Sequence, residues 1–272
     1  MTDPPQNPLS GPRLWDRVAP GYLRDVAPGL ALFCGEALRL ARVGEGSRVA
    51  DVACGPGSLS LAAARLGARA SALDFSAEMV ELLRQRAAAE GVSCVEAQVG
   101  DGMALPWPDG EFDAAISLFG LIFFSDRARG LAELHRILRP GGRAVISSWV
   151  PAARQPVMAD VWTVLGSELP DLPYSRVRPV LAEPGELRAA IGAAGFRGVE
   201  VREVIQHLEV ASAVEHWRTL ERSAPPLLAA RETVPPERWA ALSSRIAERI
   251  ESRFGTESIQ VPLIALLGVG IR

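Results

Sequence analysis

The chain changes period along its length, and the changes divide it. Between about residues 46 and 150, short apolar runs alternate with stretches of helical spacing. The runs at 48–52, 69–73, 92–99, 112–118 and 143–149 have the length and composition of buried strands. Helical spacing falls between them at 58–66, 76–90 and 127–138, where Leu131, Leu134, Ile137 and Leu138 recur at helical intervals. The punctuation agrees. Ser76 caps the second helix, with Glu78 in its first turn and Gly91 at its end, and Pro140-Gly141-Gly142 stops the third. The turn Pro108-Asp109-Gly110 leads into the fourth strand. This alternation predicts an α/β fold with a doubly wound, mostly parallel sheet whose ligand crevice opens at the strand C-termini.

Past residue 150 the pattern loosens. A proline-bearing stretch, 151–184, holds one short helical segment at 157–165, and a helix at 184–194 leads to a strand at 199–210. Residues 211–256 read as helical, with Trp239, Leu242, Ile246 and Ile250 on one face behind Pro235 and Pro236. The apolar run 261–271 is too short to span a bilayer and reads as a final strand.

Composition narrows the chemistry. With 272 residues, 48% of them hydrophobic and 22% charged, the chain can bury a sizeable core and is not of the disordered class. All 29 basic residues are arginine, so mechanisms that need a lysine Schiff base or a P-loop lysine are excluded. A net charge of -3 gives no electrostatic case for a nucleic-acid partner. Cys34, Cys54 and Cys94 form neither a disulfide framework nor a metal-binding pair, so no metal is expected. Their pattern, with no signal-peptide stretch in residues 1–12, predicts a cytoplasmic protein of undetermined oligomeric state.

The segment Val49-Ala50-Asp51-Val52-Ala53-Cys54-Gly55-Pro56-Gly57 joins the first strand to the first helix of the alternating region. Glycines there let a ligand approach the backbone and the unpaired N–H groups of a helix start. Asp51, just before the loop, would repel a pyrophosphate but suits an ammonium group. Position 60 is serine, so the third glycine of the dinucleotide fingerprint is missing. Asp74 ends the second strand, where a carboxylate accepts ribose hydroxyls. Asp101 follows the third strand, placed to accept from an adenine amino group, with Phe75, Met79 and Met103 as apolar walls. An amino-acid end, a ribose and an adenine without phosphate describe S-adenosylmethionine.

The stretches VADVACGPG, ALDFSAEMV, GDGMALPWPDGEFDAAIS and LAELHRILRPGGRAVISSW resemble the class I S-adenosylmethionine-dependent methyltransferases, in their small-molecule, quinone-biosynthesis-like (type 11) branch. WDRVAPGY resembles that family's lid segment. Ala53 stands where the family more often has glycine. The resemblance implies a Rossmann-like seven-stranded sheet with the last strand antiparallel, carrying helical cap insertions. It implies one methyltransferase domain over 1–272: lid helices 13–43, a cofactor core 44–150, acceptor-side insertions 151–183 and 211–258, and closing elements 184–210 and 259–272. The candidate cofactor set is Tyr22, Asp51, Ala53, Cys54, Gly55, Gly57, Asp74, Phe75, Met79, Gly100, Asp101, Gly102, Met103, Ser117 and Phe119.

The expected reaction is in-line methyl transfer to O, N or C of a small, apolar or aromatic acceptor, leaving S-adenosylhomocysteine. Trp15, Phe119, Phe124, Trp149 and Trp217 are the candidate acceptor contacts, while Phe123 and Trp162 read more simply as core. No base is required unless the acceptor atom must lose a proton. His207 and His216 are the candidates for one, and His135 reads as structural or solvent-facing. Two other readings remain open: an NAD(P)-dependent oxidoreductase on the same fold, and a non-catalytic S-adenosylmethionine-binding protein.

Overall fold

The computed structural model describes residues 7–169 and 180–272. Residues 170–179 of the expected 151–183 insertion lie outside the described residues, as does the start of the N-terminal stretch. Three helices come first: α1 (Pro12–Asp25), α2 (Ala27–Ala31) and α3 (Cys34–Ala41). The alternating region follows as β1 (Arg48–Val52), α4 (Ser58–Arg65), β2 (Arg69–Asp74), α5 (Ala77–Ala89), β3 (Val95–Val99), β4 (Phe112–Ser117), α6 (Arg127–Ile137) and β5 (Leu138–Trp149). The remainder is α7 (Pro156–Glu168), α8 (Pro184–Ala193), β6 (Arg197–Val210), α9 (Ala213–Ser223), α10 (Pro225–Arg231), α11 (Pro236–Phe254) and β7 (Ile259–Ile271).

The seven strands form one sheet in the order β3-β2-β1-β4-β5-β7-β6. β1 to β5 pair in parallel, and β7 runs antiparallel to both of its neighbours. The fold is the Rossmann-like one expected. Strand order reverses between β1 and β4, which opens a crevice at their C-terminal ends.

One boundary differs for a local reason. The expected fifth strand began after Pro140-Gly141-Gly142, but β5 includes those residues. Pro140 biases the residue before it toward extended backbone, so the helix stops at Ile137 and the chain enters the sheet at once. Gly141 N–H then donates to the Arg272 carbonyl at 3.0 Å, and Arg272 N–H to that of Gly142 at 2.9 Å.

Apolar layers cover both faces of the sheet. Leu131, Leu134, Leu187 and Ile191 of α6 and α8 pack on one, and Ala37, Leu38, Leu59 and Ala63 of α3 and α4 on the other. β7 pairs with β5 only from Ala265 onward, because Trp149, near the end of β5, lies opposite that residue. Ile259 to Ile264 therefore overhang the end of β5 with β6 alone. On this overhang α7, α9, α10 and α11 build a third core around Trp217, Trp239, Leu242 and Ile246, with Val261 from the strand. The overhang lies on the crevice side, so the sheet's own register places the helical cap above the ligand end.

Candidate active site

The loop after β1 is built by backbone geometry. Ala53 and Gly55 both take left-handed conformations, with φ of 58° and 52°. Cys54 N–H donates to the Leu73 carbonyl at 3.0 Å, which ties the loop to the end of β2. Gly57 opens α4 at φ 81°, and a Cβ there would stand 2.0 Å from Leu83 Cδ1. Its missing side chain is what lets α4 close on α5. A Cβ on Gly55 would meet nothing nearer than Tyr22 at 4.0 Å, so that backbone faces open space.

Asp74 is 5% exposed and accepts two backbone N–H bonds, from Gly55 at 2.8 Å and from Ser76 at 2.9 Å. Burial still pushes its carboxyl up to about 6. Asp51, 2% exposed, accepts from Ser60 Oγ at 2.6 Å, and burial pushes it up to about 7. No arginine pairs with either carboxylate among the described residues. Two buried acids without a counter-ion make a site that favours a cationic ligand. Asp101 is exposed and accepts from the Met103 N–H at 2.8 Å in a tight turn.

A cleft of about 670 Å³, its open solvent side included, runs along these strand ends. It gathers Tyr22, Ala53, Gly55, Asp74, Phe75, Met79, Asp101, Gly102, Met103 and Phe119 from the candidate cofactor set, and Trp15 and Phe124 from the acceptor set. An adjoining recess of about 410 Å³ holds Asp51 and Cys54 and shares Tyr22, Ala53 and Gly55. Burial pushes the Cys34 thiol, also in this recess, up to about 12 and the Cys54 thiol well above its ordinary value. Both stay protonated near neutral pH and are not nucleophiles.

Other expected residues are placed elsewhere. Gly57 and Gly100 serve packing, the latter because a Cβ would sit 2.7 Å from Leu73. Ser117 ends β4 fully buried, with an unpartnered hydroxyl, and does not line the cleft. Trp149 is one layer back, stacked on Phe119 with ring centroids 4.2 Å apart. Trp217 is fully buried in the cap core, so its expected acceptor contact is corrected: hydrophobic packing on α9 turns the ring inward.

Neither histidine proposed as a base lines the cleft. His207 is exposed on the edge strand β6, and His216 is buried in the cap, where desolvation lowers it to about 4 and keeps it neutral. His135 packs edge-on against Phe196 at 4.9 Å.

The cleft also includes Ser10, Leu73, Leu118 and Ser125, which the sequence did not single out, and Gly120 and Phe123 from the stretch after β4. Phe123, read as core, instead lines the cleft and meets Trp15 at 5.1 Å. Its place after β4 was the available signal. Phe119 takes a left-handed backbone, φ 60°, and its N–H donates to Ser147 Oγ at 2.8 Å. Strain of this kind concentrates at functional sites.

Residues 50–146 match the family model described as a methyltransferase domain. An uncharacterised protein of Mycobacterium tuberculosis is 40% identical over 109 residues, which are 40% of this chain and 39% of that protein. A demethylmenaquinone methyltransferase of Deinococcus radiodurans is 39% identical over 108 residues, covering 39% of this chain and 44% of that protein. The matched stretch thus spans less than half the length of these curated relatives. A phosphoethanolamine N-methyltransferase of Haemonchus contortus, solved with S-adenosylhomocysteine, superposes with a TM-score of 0.60 at 16% identity, over 94% of this chain and 57% of that one. That last likeness is one of fold. Matched domain, sheet order and crevice agree, and residues 50–146 are a methyltransferase domain of the class I, S-adenosylmethionine-dependent family.

Proposed function

We propose that the chain binds S-adenosylmethionine in the cleft at the ends of β1, β2 and β3 and transfers its methyl group to a small neutral acceptor. The observation that carries this reading is the pair of buried carboxylates, Asp51 and Asp74, on neighbouring strands in adjoining recesses and without a counter-ion. Their donor chemistry fits the ligand. Each Asp74 oxygen takes one backbone N–H and keeps a lone pair for a ribose hydroxyl. Asp51 takes one serine hydroxyl and has capacity left for an ammonium group. Asp101 and Met103 would border the adenine, with Phe75, Met79 and Phe124 as apolar walls.

The bound sulfonium supplies an activated methyl group and a neutral leaving thioether. The chain's own contribution is position and dryness: aligned, dry confinement lowers such a barrier by roughly 7–11 kcal/mol. The aromatic lining at Trp15, Tyr22, Phe119 and Phe123 supports an apolar or aromatic acceptor, quinone-like or from secondary metabolism. No histidine borders the cleft, which favours an acceptor atom that needs no protein base for its attack. We place the enzyme in the cytoplasm; no helix among the described residues is long and apolar enough to cross a membrane.

Titration calorimetry with S-adenosylhomocysteine and, separately, with NADH tests the reading. S-adenosylhomocysteine binds and NADH does not; the reverse pattern overturns it. Asp74→Ala removes hydrogen bonds to a charged group and weakens S-adenosylhomocysteine ten- to a hundredfold, about 1.5–3 kcal/mol.

A further inference from the structure

Asp16 stands one residue after the cleft tryptophan and meets the start of α5. Its Oδ1 accepts the Ser76 hydroxyl at 2.6 Å and the Glu78 N–H at 3.3 Å. Ser76 is fully buried and has no spare polar group. Its N–H donates to Asp74 Oδ1, its Oγ also accepts from the Met79 N–H at 3.2 Å, and its carbonyl accepts from Val80. One serine is thus bonded through its amide to the proposed ribose carboxylate and through its hydroxyl to the helix that crosses the cleft.

The other polar ties of α1 lead away from the sheet. Arg17 pairs with Glu232 after α10, and Asp25 is bound by Ser223 and Arg222 of α9. Among the described residues, the hydrogen bonds recorded from α1 side chains to the sheet-bearing core are those made by Asp16. Trp15, beside it, donates to the Leu9 carbonyl at 3.0 Å and bridges Phe75 and Phe123, with ring centroids at 6.3 Å and 5.1 Å. The aromatic cover over the cleft is therefore carried by a helix that packs on α5 of the core and on α9 and α10 of the cap, and whose side-chain hydrogen bonds to the core, among the described residues, come from one carboxylate.

We infer that Asp16 is a positioning residue: through Ser76 it joins closure of α1 to the seating of the ribose on Asp74, so that the ligand leaves slowly. This rests on the cofactor site proposed above. Without Asp16, the Ser76 hydroxyl keeps no acceptor from α1, and packing alone holds that helix and Trp15 over the cleft.

The test is S-adenosylhomocysteine binding to the full chain, by calorimetry for affinity and stopped flow for dissociation. Asp16→Ala weakens affinity about tenfold, the worth of one charge-assisted hydrogen bond, and the loss is in the dissociation rate. Asp16→Asn keeps an acceptor oxygen and restores affinity to within about threefold of the natural protein. Ser76→Ala loses about as much as Asp16→Ala, and the double variant loses no more than either alone, as expected of one shared link.

Wild-type affinity in a folded Asp16→Ala protein, or additive losses in the double variant, would overturn the inference. A lowered melting temperature with unchanged binding would mean that Asp16 only caps α5, and overturns it equally. Failure of the natural protein itself to bind S-adenosylhomocysteine would strike the proposed function instead.

Discussion

Ligand binding by this protein is expected to expel a proton. Burial raises Asp51 to about 7 and Asp74 to about 6, so at pH 6.5 roughly 0.8 and 0.2 of them are protonated in the free protein. A ligand that brings an ammonium to Asp51 and hydroxyl donors to Asp74 favours the ionised form of both. Binding at pH 6.5 then releases about one proton per chain, and at pH 8 only about a tenth of one. Affinity follows the same linkage and tightens by about tenfold between pH 6 and pH 8 on account of Asp51 alone. The assay is calorimetry with S-adenosylhomocysteine in buffers of different ionisation enthalpy, where the slope of observed heat against buffer enthalpy counts protons. Asp51→Asn removes most of the release. A slope of zero at pH 6.5, or a release that stays near one proton in Asp51→Asn, refutes the reasoning.

The same burial should be visible in stability. Because the folded carboxyls titrate above their unfolded values, the ligand-free protein is most favoured, as regards these groups, below about pH 4. It loses that contribution as pH rises through about 6 to 7. Asp51→Asn raises chemical-denaturation stability at pH 8 by up to about 4 kcal/mol and flattens the profile between about pH 4 and 7. Gly57→Ala meets Leu83 and a left-handed backbone together, and should cost about 2–4 kcal/mol in the same measurement. Trp217→Ala empties the centre of the cap core at about 3–5 kcal/mol, while S-adenosylhomocysteine affinity of the folded protein stays unchanged. A large loss of affinity there would mean that Trp217 reaches the ligand after all.

Legibility in the sequence follows the range of the interactions. The glycine loop, the aspartates ending β1 and β2 and the one following β3, and the apolar cleft residues Phe75 and Met79 were readable, because a parallel strand delivers its last side chain to the crevice whatever surrounds it. Ser60 could be read only as a missing glycine; its bond to Asp51 belongs to the folded first turn of α4. Asp16 stood within the lid-like segment WDRVAPGY, but nothing local pointed to its partner Ser76, 60 residues away along the chain. The tryptophans illustrate the remaining difficulty. Trp15, Trp149 and Trp217 look alike as aromatic residues outside the sheet's early strands, yet one lines the cleft, one supports Phe119 from behind and one fills the cap.

What the sequence by itself determined is therefore the alternating frame and the acidic character of its ligand end. Period, punctuation and strand-terminal residues are local properties, and they survive any packing that buries the apolar runs. Tertiary structure decided which of the remaining groups face the ligand. The overhang of β6 and β7 past β5 sets the cap over the crevice. Burial without a counter-ion then turns two ordinary aspartates into carboxyls that titrate at about 6 and about 7. Both effects depend on what is brought alongside and how much water is removed, and neither quantity is written in the chain's local pattern.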